Sequence, residues 1–78
     1  MHLVIAKIDE TLYDGEVHSL TAPGMAGEMT VLGHHEPLIT TLKPGTLRVH
    51  VAAGDEPKVF DITGGVLEVR AEGATVIL

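Results

Sequence analysis

Short runs of branched aliphatic residues recur along the whole chain, and every run is cut short by a Gly, Pro or acidic turn signal. Residues 3–8, 16–22, 28–32, 37–42, 46–51, 58–63, 66–70 and 74–78 read as strands. Between them stand Asp14-Gly15, Pro23-Gly24, Lys43-Pro44-Gly45, Gly54-Asp55-Glu56, Gly64-Gly65 and Ala71-Glu72-Gly73. Proline fixes φ and glycine tolerates positive φ, so such clusters break or reverse a chain. No window sustains the apolar period that an amphipathic helix needs. The pattern predicts an all-β chain: a small two-sheet β-sandwich of roughly eight to ten short, mostly antiparallel strands, with residues 1–78 forming a single domain.

Side chains alternate between the two faces of a strand, and residues 46–51 show this most clearly. Leu47, Val49 and Val51 are predicted to face inward, with Thr46, Arg48 and His50 turned to water. Phe60 and Ile62 share one side of the next strand, and Gly64-Gly65 reads as a hairpin reversal after it. Val76, Ile77 and Leu78 stay apolar to the last residue, which predicts a sheet edge there that needs cover.

Composition narrows what can fill and surround such a fold. The chain is 45% hydrophobic with one Tyr, one Phe and no Trp, so its core must be made of Val, Ile, Leu and Ala. A chain of 78 residues hides only about 60% of the surface it would expose unfolded, which leaves a thin margin of stability. No cysteine is present to add a disulfide or a thiolate zinc site. A net charge of −6 repels phosphate backbones and anionic lipid headgroups, which argues against nucleic acid and direct lipid binding. The apolar run near the start is interrupted at Lys7, too early for a signal segment or a membrane span.

Candidate chemistry centres on the segment Gly33-His34-His35-Glu36-Pro37-Leu38. Vicinal histidines in extended backbone point to opposite faces, so His34 and His35 share a metal only if the chain turns sharply between them. Glu36 is then the third ligand, and a small metal-binding module or metal-dependent enzyme using His34, His35 and Glu36 is the alternative to a plain surface turn. Ser19, the only serine, lies mid-strand without the turn that exposes a nucleophile. Asp9-Glu10 and Asp55-Glu56 fall at wet turns, where a carboxylate pair lacks the desolvation that splits its acidities. Gly64-Gly65 leads into a strand, with no helix N-terminus to receive a phosphate. The residues point to contact in place of catalysis, with no catalytic group and no cofactor.

An ordered series of motifs resembles one family closely: Leu12-Tyr13-Asp14-Gly15-Glu16-Val17, Thr21-Ala22-Pro23-Gly24, Gly27-Glu28, His35-Glu36-Pro37-Leu38, Leu42-Lys43-Pro44-Gly45 and Gly64-Gly65-Val66-Leu67-Glu68-Val69. The chain is similar to the N-terminal β-sandwich domain of the epsilon subunit of F-type ATP synthases. The resemblance implies a non-catalytic central-stalk subunit that binds the gamma subunit and contacts the c-ring, coupling ion translocation to ATP synthesis. It places Gly27 and Glu28 at the c-ring, and Lys7, His35 and Thr40 at the gamma subunit. It implies a position at the cytoplasmic face of the bacterial inner membrane, or the stromal face of the thylakoid, held there through the complex. Family members usually carry Pro-Gly before the His of this block and a small residue after it, where this chain has Gly33-His34 and Glu36. The helical hairpin that follows the sandwich in most members is expected to be absent, and its regulatory roles do not carry over.

Overall fold

A computed structural model describes residues 1–78. Nine strands follow one another without a helix: β1 His2–Lys7, β2 Glu10–Glu16, β3 Ser19–Gly24, β4 Gly27–Leu32, β5 Leu38–Leu42, β6 Gly45–His50, β7 Lys58–Ile62, β8 Gly65–Arg70 and β9 Gly73–Ile77. Hydrogen bonds link them in the order β2-β1-β9-β8-β5-β3-β6-β7, with β4 on the other side of β3. Every pairing is antiparallel except that of β1 with β9. Strands β5 and β3 meet only at Leu42 and Gly24, and there the sheet folds over. Layer one is β2-β1-β9-β8-β5 and layer two is β4-β3-β6-β7, as the expected sandwich requires.

The core lies between the layers and follows strand parity. Layer one contributes Leu3, Ile5, Leu67, Val69, Ala74 and Val76; layer two contributes Leu20, Ala22, Val31, Leu47, Val49 and Ile62. Phe60 packs against this cluster and meets Tyr13 edge to face at 6.3 Å. Leu47 and Val49 point inward as expected, but Val51 is exposed because β6 ends at His50 and the chain turns away.

Several turn signals do other work. Asp14-Gly15 lies inside β2, paired with Val4 and Leu3, and the reversals fall at Ile8-Asp9 and Val17-His18. The Tyr13 ring lies beside Gly15 without requiring it: a Cβ there would make an ordinary contact with the phenol oxygen at 3.4 Å. Pro23-Gly24 likewise stays within β3, beside the fork where β5 and β6 diverge. The carbonyl of Pro23 accepts from Lys43 N at 2.8 Å on that side, so its missing N–H falls where the ladder opens. Gly64-Gly65 does not close a hairpin, since β7 pairs with β6 while β8 pairs with β5 and β9. It carries the chain from layer two to layer one, and Gly65, at φ 147, passes so close to β9 that a Cβ would lie 2.6 Å from the Ile77 carbonyl oxygen. The C-terminal strand is not an edge either: β9 is flanked by β1 and β8, which supply the cover the sequence demanded.

Candidate docking surface

The five histidines are scattered over the molecule. His2 lies between Asp14 and Glu16, with Nε2 2.7 Å from Asp14 Oδ1 and Nδ1 3.2 Å from Glu16 Oε2. His50 Nδ1 is 3.0 Å from the Asp55 carbonyl. His34 takes a left-handed φ of 63° in the turn after β4, and His35 Nδ1 turns back onto the Glu36 carbonyl at 2.7 Å. No three His, Asp or Glu side chains converge as metal ligands, so the metal reading of His34, His35 and Glu36 is withdrawn. The sharp turn it required is present at His34, but it brings no third ligand to the imidazoles.

The two ends of the sandwich are chemically distinct. Registers place the turns at Ile8-Asp9, Met25-Ala26, Lys43-Pro44 and Thr63-Gly64 at one end, and the loops at 17–18, 33–37, 51–57 and 71–72 at the other. Gly27 and Glu28 begin β4 at the first end, just after the exposed tip residue Met25. Lys7 shares that end, lining a cleft of about 340 Å³ with Ile8, Asp9, Asp61, Thr63 and Leu78. His35 stands at the opposite end. Thr40 lies midway along β5 with its side chain on the inner side, half-buried, its hydroxyl donating to the Thr41 carbonyl at 3.2 Å. The structure thus groups Lys7 with Gly27 and Glu28, and leaves His35 and Thr40 apart from them.

Strand parity also exposes what the residue-by-residue reading missed. On the outer face of layer one, Ala6 sits opposite Ile77 and Ile77 opposite Val66, three strands in a row. Ile39, on the next strand, lies diagonal to Val66, and Val4 lies two residues before Ala6. Ile39 is 72% exposed and Ile77 51% exposed. The signal was available: Val76-Ile77 and Leu38-Ile39 are apolar at both parities, as strands covered on both faces are. A second missed feature joins Glu28 to Arg48 on β6, Nη2 to Oε2 at 3.0 Å.

Comparison with known proteins bears on what covers these surfaces. Residues 1–78 match the family described as the ATP synthase delta/epsilon chain, β-sandwich domain. The chain is 38% identical over 77 residues to the ATP synthase epsilon chain of Delftia acidovorans, covering 99% of this chain and 55% of that one. It is 48% identical over 73 residues to the epsilon chain of Psychrobacter cryohalolentis, covering 94% and 52%. The chain therefore spans about half the length of the curated relatives it matches. Among solved structures, a chain of the Euglena gracilis mitochondrial ATP synthase, in an assembly of OSCP, F1 and c-ring, superposes with a TM-score of 0.87 at 30% identity, covering 96% of this chain and 48% of that one. A chain of the Tetrahymena thermophila mitochondrial ATP synthase central stalk and c-ring shares the fold, with a TM-score of 0.81 at 17% identity over 99% of this chain and 61% of its own.

Proposed function

This chain belongs to the β-sandwich domain family of ATP synthase delta and epsilon chains, and on that premise we propose that it is a non-catalytic rotor component that binds the gamma subunit and rests on the c-ring. The observation that carries the reading is the outward apolar row Ala6, Ile77 and Val66 with Ile39 beside it, on a molecule whose core is already complete without it. A contiguous apolar patch on a small domain is a surface made to be covered. The gamma subunit is its occupant, with Lys7 and His35 at the two ends and Thr40 along the open edge of β5. Layer-one strands of five to seven residues separate those ends, roughly 17–20 Å. One partner touching both ends must be elongated, as a stalk is.

Gly27 and Glu28 face the c-ring from the hairpin between β3 and β4. Their end carries compact turns, which suits seating against short polar loops. The domain would then lie at the cytoplasmic face of the bacterial inner membrane, or the stromal face of a thylakoid, held there through the complex; no helix of the chain is long and apolar enough to cross a membrane. Reconstitution with gamma subunit and c-ring from the same source tests the proposal. Co-migration of all three is expected, and loss of gamma binding on Ile39→Asp with Ile77→Asp. Binding that survives both charges on this face overturns the assignment.

A further inference from the structure

The outer face of layer one changes character along its length. Its apolar row lies toward the Ile8-Asp9 end, and the last rung before the other end carries charge: Glu16, His2, Gly73 and Arg70 stand side by side on β2, β1, β9 and β8. His2 points outward by the same parity as Val4 and Ala6. Both of its ring nitrogens face carboxylates, Nε2 at 2.7 Å from Asp14 Oδ1 and Nδ1 at 3.2 Å from Glu16 Oε2. A carboxylate only accepts, and a neutral imidazole carries a single N–H. One of the two contacts would then set lone pair against lone pair, so only the imidazolium satisfies both. The other charges nearby are already committed. The Met1 amine donates to the Val17 carbonyl at 2.9 Å and stands 3.7 Å from Glu16 Oε1. Strand β9 brings no charge, and beyond it Arg70 is held by Glu68 at 3.0 Å and Glu72 at 3.9 Å. His2 is the only basic group that Asp14 meets.

From this geometry, and resting on the assignment of this face to the gamma subunit, we infer that His2 is a one-proton latch: gamma docks on the form in which a charged His2 neutralises Asp14 and Glu16. In the free domain the clamp is wet, with His2 49% and Asp14 59% exposed, and water meets whichever ring nitrogen or carboxylate lacks a partner. Covering the face removes that water. A pair of carboxylates without a cation between them then becomes costly, whereas the closed clamp is paired on both sides. Docking therefore takes up a proton at His2, and the sign follows. Affinity is full at the acid end of the range in which histidine changes charge, about pH 5 to 8, and is lost as pH rises through it. His35, the other histidine assigned to this interface, makes no such demand, because its Nδ1–H donates to the Glu36 carbonyl at 2.7 Å in either charge state.

Titration calorimetry of the chain with gamma subunit from the same source, repeated in two buffers of different ionisation heat, measures affinity and proton uptake together. Affinity should fall about tenfold from about pH 6 to about pH 8, which corresponds to about half a proton taken up per complex on average across that interval. His2→Gln should remove both the fall and the uptake, and His35→Gln should keep them. Asp14→Asn should also flatten the profile, because a single N–H then serves the one carboxylate left. Unfolding midpoints of each variant are the folding control, and if His2→Gln does not fold, Asp14→Asn decides. A flat profile for the unaltered chain, or a His2→Gln profile as steep as its own, overturns the latch while the gamma assignment stands. So does an affinity that rises with pH, the result if gamma brings its own cation to Asp14 and Glu16. Absence of binding at every pH removes the assignment, and the latch with it.

Discussion

Ile39 and Ile77 offer the sharpest separation between what folds the domain and what it binds. Both lie on the outer face of layer one, outside the core cluster. Replacing each by Thr keeps β-branching, and with it the strand preference, while a hydroxyl takes the place of an ethyl group. Removing those carbons from a fully covered site costs about 0.8 kcal/mol per carbon. Only the area still open in the free domain counts toward docking, 72% for Ile39 and 51% for Ile77. That gives about 1.2 and about 0.8 kcal/mol, together about 2 kcal/mol or roughly thirtyfold in affinity for gamma. Titration of the double variant against the gamma subunit, beside a urea melt of the same protein, measures both effects. The melt should move by less than about 0.5 kcal/mol, the usual scale of surface changes. Unchanged affinity, or a loss wholly explained by unfolding, would refute the claim that this face is the docking surface.

Leu67→Ala, one residue along β8 from exposed Val66 but facing inward and fully buried, should cost about 2–5 kcal/mol in a denaturant melt, a large share of what so small a domain holds. Gly65→Ala should lower thermal stability by about 2 kcal/mol or more, because a left-handed φ is combined with a backbone oxygen where the methyl must go; if the midpoint holds, the approach of β8 to β9 is looser than described. Glu28→Lys should leave the unfolding midpoint of the isolated domain within about 1 kcal/mol, since both partners of the lost pair are solvent-exposed, while retention on the rotor falls. His35→Ala should bind gamma more weakly with no change in metal content by elemental analysis, and zinc lost in step with folding would reopen the ligand reading.

Local chemistry made the strands legible, and long-range pairing was hidden. The alternation at Leu47, Arg48 and Val49 follows from strand geometry alone, and the structure keeps it. Gly15 and Gly65 looked like turns because glycine is the usual turn residue; here Gly65 is demanded by the β9 backbone, while Gly15 sits within a strand with room for a methyl beside the Tyr13 ring. Nothing in residues 74–78 announces that β1 will pair with β9 in parallel, since that contact joins the two ends of the chain. Hence a central strand read as an edge. The candidate contacts fared similarly: Glu28 could be read at a turn, but its bond to Arg48 exists only because β3 lies between two strands far apart in sequence.

The proposed role asks so small a domain to bind two partners at once, which is a question of area and direction. Its accessible surface is 4550 Å², and two interfaces of about 800 Å² each would take roughly a third of it. The two proposed sites do not compete, because one is the outer face of layer one and the other an end of the sandwich. A sideways force entering at the β3–β4 hairpin must cross from layer two to layer one to reach gamma. The only ladder contact between the layers is Gly24 with Leu42, too little to resist shear by itself. Resistance must come from the four chain crossings, at Val17-His18, residues 33–37, Lys43-Pro44 and Thr63-Gly64, and from the interlocked side chains of Leu20, Leu47, Leu3 and Leu67. Close-packed cores resist sliding because their side chains cannot pass without opening voids. On the proposed assignment, a cavity at Leu67 should therefore soften the link between ring and stalk even in molecules that stay folded, and the core would be a mechanical part of the rotor as well as the source of the fold.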